Sequence, residues 1–207
     1  MSELALENSI MQSSLHYLKG QRSPGWTTDV EPGLTVTEIN QGCYLNLRGN
    51  ANDAAFTAGV KDSLKLTLPT EAGTYSRHGL TMACWLGPDE WVIVSDQSAE
   101  TVQSSLRGAL AGHISIVDVT GGQTQINLRG SSVALVLKKA SGYDFEGWAM
   151  AGETVNRCVQ TNFAKATALV SSNADGSFDL TIRRSFADYI AQWLLDAGQE
   201  HGCVIQS

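Results

Sequence analysis

The tetrapeptide Asn46-Leu47-Arg48-Gly49 returns 81 positions later as Asn127-Leu128-Arg129-Gly130, and each copy opens an Ala/Val-rich stretch with helical spacing. Four matching residues carry little alone. The order of elements around them carries more, because it repeats too: a short alternating strand, the Asn-Leu-Arg-Gly step, a helix, an irregular stretch, a hairpin and an amphipathic helix. A duplication this long gives two half-domains, each with an apolar face to bury against the other. One pseudo-symmetric body follows more naturally than two independent domains. The 207 residues fit that reading, since a single core in a chain of this size buries roughly 70% of the unfolded surface. The expected organisation is an N-terminal arm over 1–32 and a single domain over 33–207, made of β-β-α-β-β-α halves at about 33–112 and 113–200.

In the arm, Ser23-Pro24-Gly25-Trp26 and Glu31-Pro32-Gly33 read as turns, so the segment is expected to lie along a surface, its own or a partner's. Strands are expected over 34–39 and 44–47, and a helix over 50–60 capped by Asn50 or Asn52. Gly87-Pro88-Asp89-Glu90 splits an apolar run into strands 80–86 and 91–94, and Ser98 caps a helix with Val102, Leu106, Ala109 and Leu110 on one face. The second half opens with strands 114–119 and 125–128, followed by a helix carrying Val133 to Leu137 that is more apolar than its counterpart. Strands 166–170 and 178–182 form a hairpin across Asn173-Ala174-Asp175-Gly176. Ser185-Phe186-Ala187-Asp188 resembles a capping box for a last helix with Phe186, Ile190, Trp193, Leu194 and Ala197 on its apolar face, and Gly198 stops it.

Several function classes are disfavoured by the same residues. The net charge of -7, with no basic cluster beyond Arg183-Arg184, argues against nucleic acid, and no apolar stretch is long enough to cross a bilayer. The acidic residues of Met1-Ser2-Glu3-Leu4-Ala5-Leu6-Glu7 stand where a secretory signal would be basic, which places the chain in the cytoplasm. Cys43, Cys84, Cys158 and Cys203 are far apart, and His16, His78, His113 and His201 are single, so neither a disulfide scaffold nor a zinc site is expected. Gly121-Gly122 lies between two strands rather than before a helix, and there is no G-x-S-x-G elbow. Asp118, on a mostly apolar strand, is read as a structural carboxylate that pairs with an Arg or binds loop amides, in preference to a general base. Arg183 and Arg184 suit a partner's carboxylate, or equally Asp188 or Asp179 of the same chain. Of the five tryptophans, Trp85, Trp91 and Trp193 are assigned inward, and Trp26 and Trp148 are candidate interface anchors.

Arg183-Arg184-Ser185-Phe186-Ala187-Asp188-Tyr189, ending in Trp193-Leu194-Leu195-Asp196-Ala197-Gly198, resembles the C-terminal signature of the gamma subunit of heterotetrameric sarcosine oxidase. Val117-Asp118-Val119-Thr120 before Leu128-Arg129-Gly130, and Thr161-Asn162-Phe163-Ala164-Lys165-Ala166, extend the resemblance over most of the chain from about residue 34. It implies an α+β fold of pseudo-duplicated halves similar to the folate-binding domain of aminomethyltransferases. It also implies a small structural subunit of a flavoenzyme that oxidatively demethylates sarcosine to glycine, forms hydrogen peroxide and passes a one-carbon unit to tetrahydrofolate. FAD, FMN, NAD and tetrahydrofolate would then belong to the large subunits, leaving no catalytic, cofactor or metal residues in this chain. Its main partner would be the large subunit that carries the folate domain. Open beside this reading are the corresponding subunit of an N-methylglutamate dehydrogenase-type complex, a stand-alone folate-binding protein, and a scaffold outside amine metabolism.

Overall fold

Each Asn-Leu-Arg-Gly copy ends a strand, and its glycine is there for a local reason. A Cβ on Gly49 would fall 2.3 Å from the Phe56 ring, whereas Gly130 has a φ of +133° and a Cβ there would meet the Gly33 carbonyl at 2.2 Å. The computed structural model describes residues 13–24, 26, 30–150 and 156–206. Its first half runs β1 (Leu34–Ile39), β2 (Cys43–Arg48), α1 (Ala54–Leu64), β3 (Tyr75–His78), β4 (Thr81–Gly87), β5 (Glu90–Ser95) and α2 (Ala99–Ala109). The second runs β6 (Ser115–Asp118), β7 (Gln123–Arg129), α3 (Val133–Ala140), a short α4 (Glu146–Met150), β8 (Cys158–Phe163), β9 (Ala166–Ser172), β10 (Phe178–Arg183) and α5 (Ala187–Ala197), and β11 (Cys203–Gln206) follows.

The halves exchange their first strands. One sheet has the order β3-β4-β5-β2-β6 and the other β8-β9-β10-β7-β1-β11, so each sheet takes one strand from the opposite half. Register makes the equivalence residue by residue: Asp118 lies opposite Leu45 on β2, and Glu38 lies opposite Ile126 on β7. Neither half can complete its sheet without the other, which binds the duplication into one body.

Strand alternation then sorts the side chains into layers. Leu45, Leu47, Trp91 and Ile93 pack with Phe56, Val60, Val102 and Leu106 of α1 and α2. Val36, Leu128, Phe178 and Leu180 pack with Val136, Leu137, Ile190 and Leu194 of α3 and α5. Tyr44, Met82, Cys84, Val92 and Val94 of the first sheet meet Cys158 and Leu169 of the second between the sheets. The Tyr44 hydroxyl is buried there without a hydrogen-bond partner among the described residues, and burial, with the Glu38 and Asp179 carboxylates adding to it, holds the phenol well above its ordinary pKa.

The irregular stretches expected in each half contain the additional strands β3 and β8, so three strands rather than two separate the helices. Both are sheet edges with partly exposed residues, which blurs their periodicity. The first helix begins at Ala54 and its cap is Asp53, whose Oδ1 accepts from the Ala55 amide at 2.9 Å; Asn50 instead closes the preceding turn onto Asn52. The capping box expected at Ser185 does not form, because a 3-10 turn over Arg184–Phe186 precedes α5 and Asp188 accepts from Gln192 at 2.8 Å. That turn also moves Phe186 off the apolar face, leaving it 40% exposed.

The described part of the arm lies on its own chain. Leu15 and Leu18 enter the second core, and residues 20–23 run along β11, with Gly20 donating to Ile205 and Ser23 to Cys203, both at 2.9 Å. Ser13 and Ser14 donate to Glu38; burial opposes its ionisation, but these bonds and one from Thr124 outweigh that and lower its pKa.

Candidate functional site

The strand exchange creates a concavity among the described residues. Val36, Leu128, Phe178 and Leu180 point to the helices, so the alternate residues Thr35, Thr37, Asn127, Arg129 and Asp179 point toward the other sheet. Together with Tyr75 and Arg77 of β3 and the turn over 173–177 they line a groove of about 720 Å³.

Its charges are matched within the groove. Asp179 is only 5% exposed, accepts from Asn127 Nδ2 at 2.7 Å and pairs with Arg77 at 3.9 Å. Arg77 also donates to Asn173 Oδ1 at 3.3 Å, and its guanidinium lies 5.5 Å from the centroid of the Tyr75 ring. The Tyr75 hydroxyl donates to the Ser172 carbonyl at 2.7 Å. Arg129 pairs with Asp175, and the hydroxyl and amide of Ser177, at 2.7 and 3.0 Å, hold the Asp175 carboxyl below its ordinary pKa. A carboxylate buried this far persists only when such partners satisfy it.

The first half uses its own copy in the same way. Asn46 donates to Glu90 Oε1 at 2.7 Å and Arg48 to Oε2 at 2.6 Å. The repeated Asn-x-Arg therefore places an amide and a guanidinium on one face of a strand, where they clamp acidic residues of the neighbouring hairpin. Sequence reasoning found the repeat and missed this role. The available signal was the period-two spacing of two polar residues inside apolar strands, with acids at both hairpins.

The four residues nominated as interface candidates do not form one cluster. Arg183 is exposed and lines a second cavity of about 460 Å³ with Asp118, Val119 and the Gly121-Gly122 turn, and Arg184 sits half-buried in the adjacent 3-10 turn. Of the acids considered, Asp179 accepts from Asn127 with Arg77 at 3.9 Å, and Asp188 accepts from Gln192. Trp26 covers Gly202, where a Cβ would fall 2.2 Å from its ring, and its Nε1 donates to Val30 at 3.3 Å. Trp148 packs edge-on to Tyr143 and Phe145 and stacks on Phe178 at 6.4 Å. Asp118 is exposed rather than buried and binds a loop amide, accepting from Thr120 N at 2.9 Å and Oγ1 at 2.5 Å. Trp91 is fully buried with Nε1 on the Pro69 carbonyl at 2.7 Å, and Trp85 and Trp193 pack partly buried against the two helix-side cores.

All four thiols are buried and free, and the Cys84 thiol is raised well above its ordinary pKa by its hydrogen bond with Cys158 and by burial. Among the described residues no three His, Cys, Asp or Glu side chains are grouped to hold a metal ion, and no helix is long and apolar enough to cross a membrane.

A family model described as "Sarcosine oxidase, gamma subunit family" matches residues 48–200. The chain is 28% identical to the sarcosine oxidase subunit gamma of Corynebacterium sp. (strain U-96) over 82% of each sequence, and 28% identical to that of an Arthrobacter species over 93% of this chain and 92% of the other. Its fold is similar to a chain of the heterotetrameric sarcosine oxidase from Corynebacterium sp. U-96, solved in complex with pyrrole 2-carboxylate. The TM-score is 0.77 at 24% identity, covering 92% of this chain and 95% of that one. It is also similar to the glycine cleavage system aminomethyltransferase T of Bartonella henselae, with TM-score 0.59 at 12% identity, over 84% of this chain and 48% of that one.

Proposed function

This chain belongs to the sarcosine oxidase gamma subunit family, and on that premise we propose that it is the small, non-catalytic subunit of a cytoplasmic sarcosine oxidase-type complex. The complex oxidatively demethylates sarcosine to glycine, forms hydrogen peroxide and transfers the one-carbon unit to tetrahydrofolate. FAD, FMN, NAD and tetrahydrofolate sit in the large subunits, and the subunit carrying the folate domain is this chain's main neighbour. In that assembly Arg183 and Arg184 meet a carboxylate of the neighbour, and the half-buried Trp26 and Trp148 add contacts.

The observation that supports a non-catalytic role is the matched charge of the groove. The groove's acids serve contacts within the chain: Asp179 accepts from Asn127 with Arg77 at 3.9 Å, and Asp175 accepts from Ser177 and pairs with Arg129. Folate fits the groove poorly for the same reason. A pterin offers donors that suit a carboxylate and a flat face that suits an aromatic ring, but the buried Asp179 carboxylate already accepts from Asn127 and the Arg77 guanidinium stands over the Tyr75 ring.

The test is affinity isolation of the tagged chain from its native host, followed by flavin absorbance and a substrate-dependent peroxide assay. Co-isolation of two large subunits with yellow colour and sarcosine-dependent activity is the expected result. A solitary, colourless protein overturns it, and a complex that oxidises N-methylglutamate in place of sarcosine reassigns the substrate.

A further inference from the structure

The two exchanged strands occupy equivalent places and have different surroundings. In the second sheet, the outer edge of β1 is covered by β11, which runs parallel to it with Leu34 opposite Cys203 and Val36 opposite Ile205. Residues 13–15 of the arm also seat on Glu38 of that strand. In the first sheet, β6 is the last strand, and among the described residues no segment pairs with its outer edge. Val117 lies opposite Asn46 as Thr37 lies opposite Asn127, but Val117 is 49% exposed, whereas Thr37 has Gln206 of β11 beside it. From α2 the exposed Arg107 donates to the Ile116 carbonyl on this edge at 3.1 Å and can be replaced by an incoming N–H.

Building on the accessory-subunit reading, we infer that β6 is a docking edge for an extended segment of a large subunit of the complex, added parallel to β6 as β11 is added to β1. An open edge presents a row of unpaired backbone groups, and strand addition satisfies them. The occupant's chemistry follows from the equivalent position. β11 supplies Cys203-Val204-Ile205, buried on both faces, so the docked segment is a short run of small or β-branched apolar residues. A parallel strand there runs toward the cavity at the C-terminal end of β6, where the exposed Arg183 has no ion pair among the described residues. A carboxylate just after the apolar run would meet that guanidinium.

Amide hydrogen exchange on the free chain and on the isolated complex tests this. Peptides spanning 114–118 are expected to exchange at least tenfold more slowly in the complex. Val117→Lys, at an exposed position, is expected to leave the thermal melting of the free chain unchanged and to reduce recovery of large subunits at least tenfold, with Arg183→Glu having a smaller effect. An assembled complex with unchanged exchange over 114–118 overturns the docking edge and leaves the subunit reading standing. Failure to recover any large subunit overturns both. Protection already present in the free chain also overturns it, identifying the N-terminal residues as occupant if deletion of 1–12 abolishes the protection, or a second copy if dilution does.

Discussion

The two halves share a scaffold and differ at what they hold. Both clamp a hairpin carboxylate with the Asn and Arg of the repeated tetrapeptide, but the first half clamps Glu90 at the surface, and the second clamps the buried Asp179 and the exposed Asp175. Val92 is the first-half equivalent of Asp179 in register, so an apolar core position on one side is a carboxylic side chain on the other. The same asymmetry governs the edges, where β1 is covered and β6 is open. The two halves share their packing, and the groove is lined by residues of both.

The largest effects should be equal in the two halves, because they test the shared part. Trp91 and Phe178 lie at equivalent positions and are essentially unexposed. Replacing either with Ala leaves a large cavity and should cost about 3–5 kcal/mol, read from the urea midpoint. A loss below about 1 kcal/mol at one site, on the same scale, would show that its core is not built like the other's.

The clamps should separate the halves. Asn127→Ala removes a charged hydrogen bond from a carboxylate that is almost fully buried and should cost about 2–3 kcal/mol. Asn46→Ala leaves Glu90 with Arg48 and with solvent, so about 1 kcal/mol is expected. Equal losses would mean that the burial of Asp179 makes no energetic difference. Denaturant unfolding of both variants decides it.

The difference between these clamps could not be read from the chain, because it depends on which strands are neighbours. Strand period, turn residues and the Ser98 cap are local, and the corresponding hairpins and helices are found where the residues place them. The exchange of β1 and β6 is a non-local pairing, and β3 and β8 are edges whose side chains are only partly covered, so neither leaves a strong periodic signal. The groove needed the exchange to be known, since Thr35 and Thr37 come from the first half and Asn127 and Asp179 from the second. By contrast, the leading motif of the family resemblance, from Arg183 through the 3-10 turn and α5 to Gly198, is contiguous in the chain.

Acid should loosen the covered edge before the rest. Glu38 has a lowered pKa in the folded chain, so its contribution is present above the ordinary value of 4.5 and is lost as pH falls through the lower folded value. Glu38→Gln should therefore destabilise the protein near neutral pH, and the difference from the parent should disappear below that range, followed by thermal melting against pH. The described arm residues 13–18 should gain exchange rate in the same window, because Ser13, Ser14 and the Leu15 amide are held by that carboxylate. A pH-independent difference would place the arm's attachment in Leu15 and Leu18 instead.

The smallest contrast concerns the helices that close each half. Ser98 Oγ accepts from the Thr101 amide at 3.2 Å, so Ser98→Ala removes a working cap and should cost about 1 kcal/mol. At α5 the corresponding amides follow a 3-10 turn and no side chain caps them, so Ser185→Ala should stay within about 0.5 kcal/mol. Both helices bury an apolar face, which means that the cap and not the packing is being compared. If Ser185→Ala costs as much as Ser98→Ala, the turn over Arg184–Phe186 gives way in solution to the capping box the sequence encodes, and Phe186 moves with it.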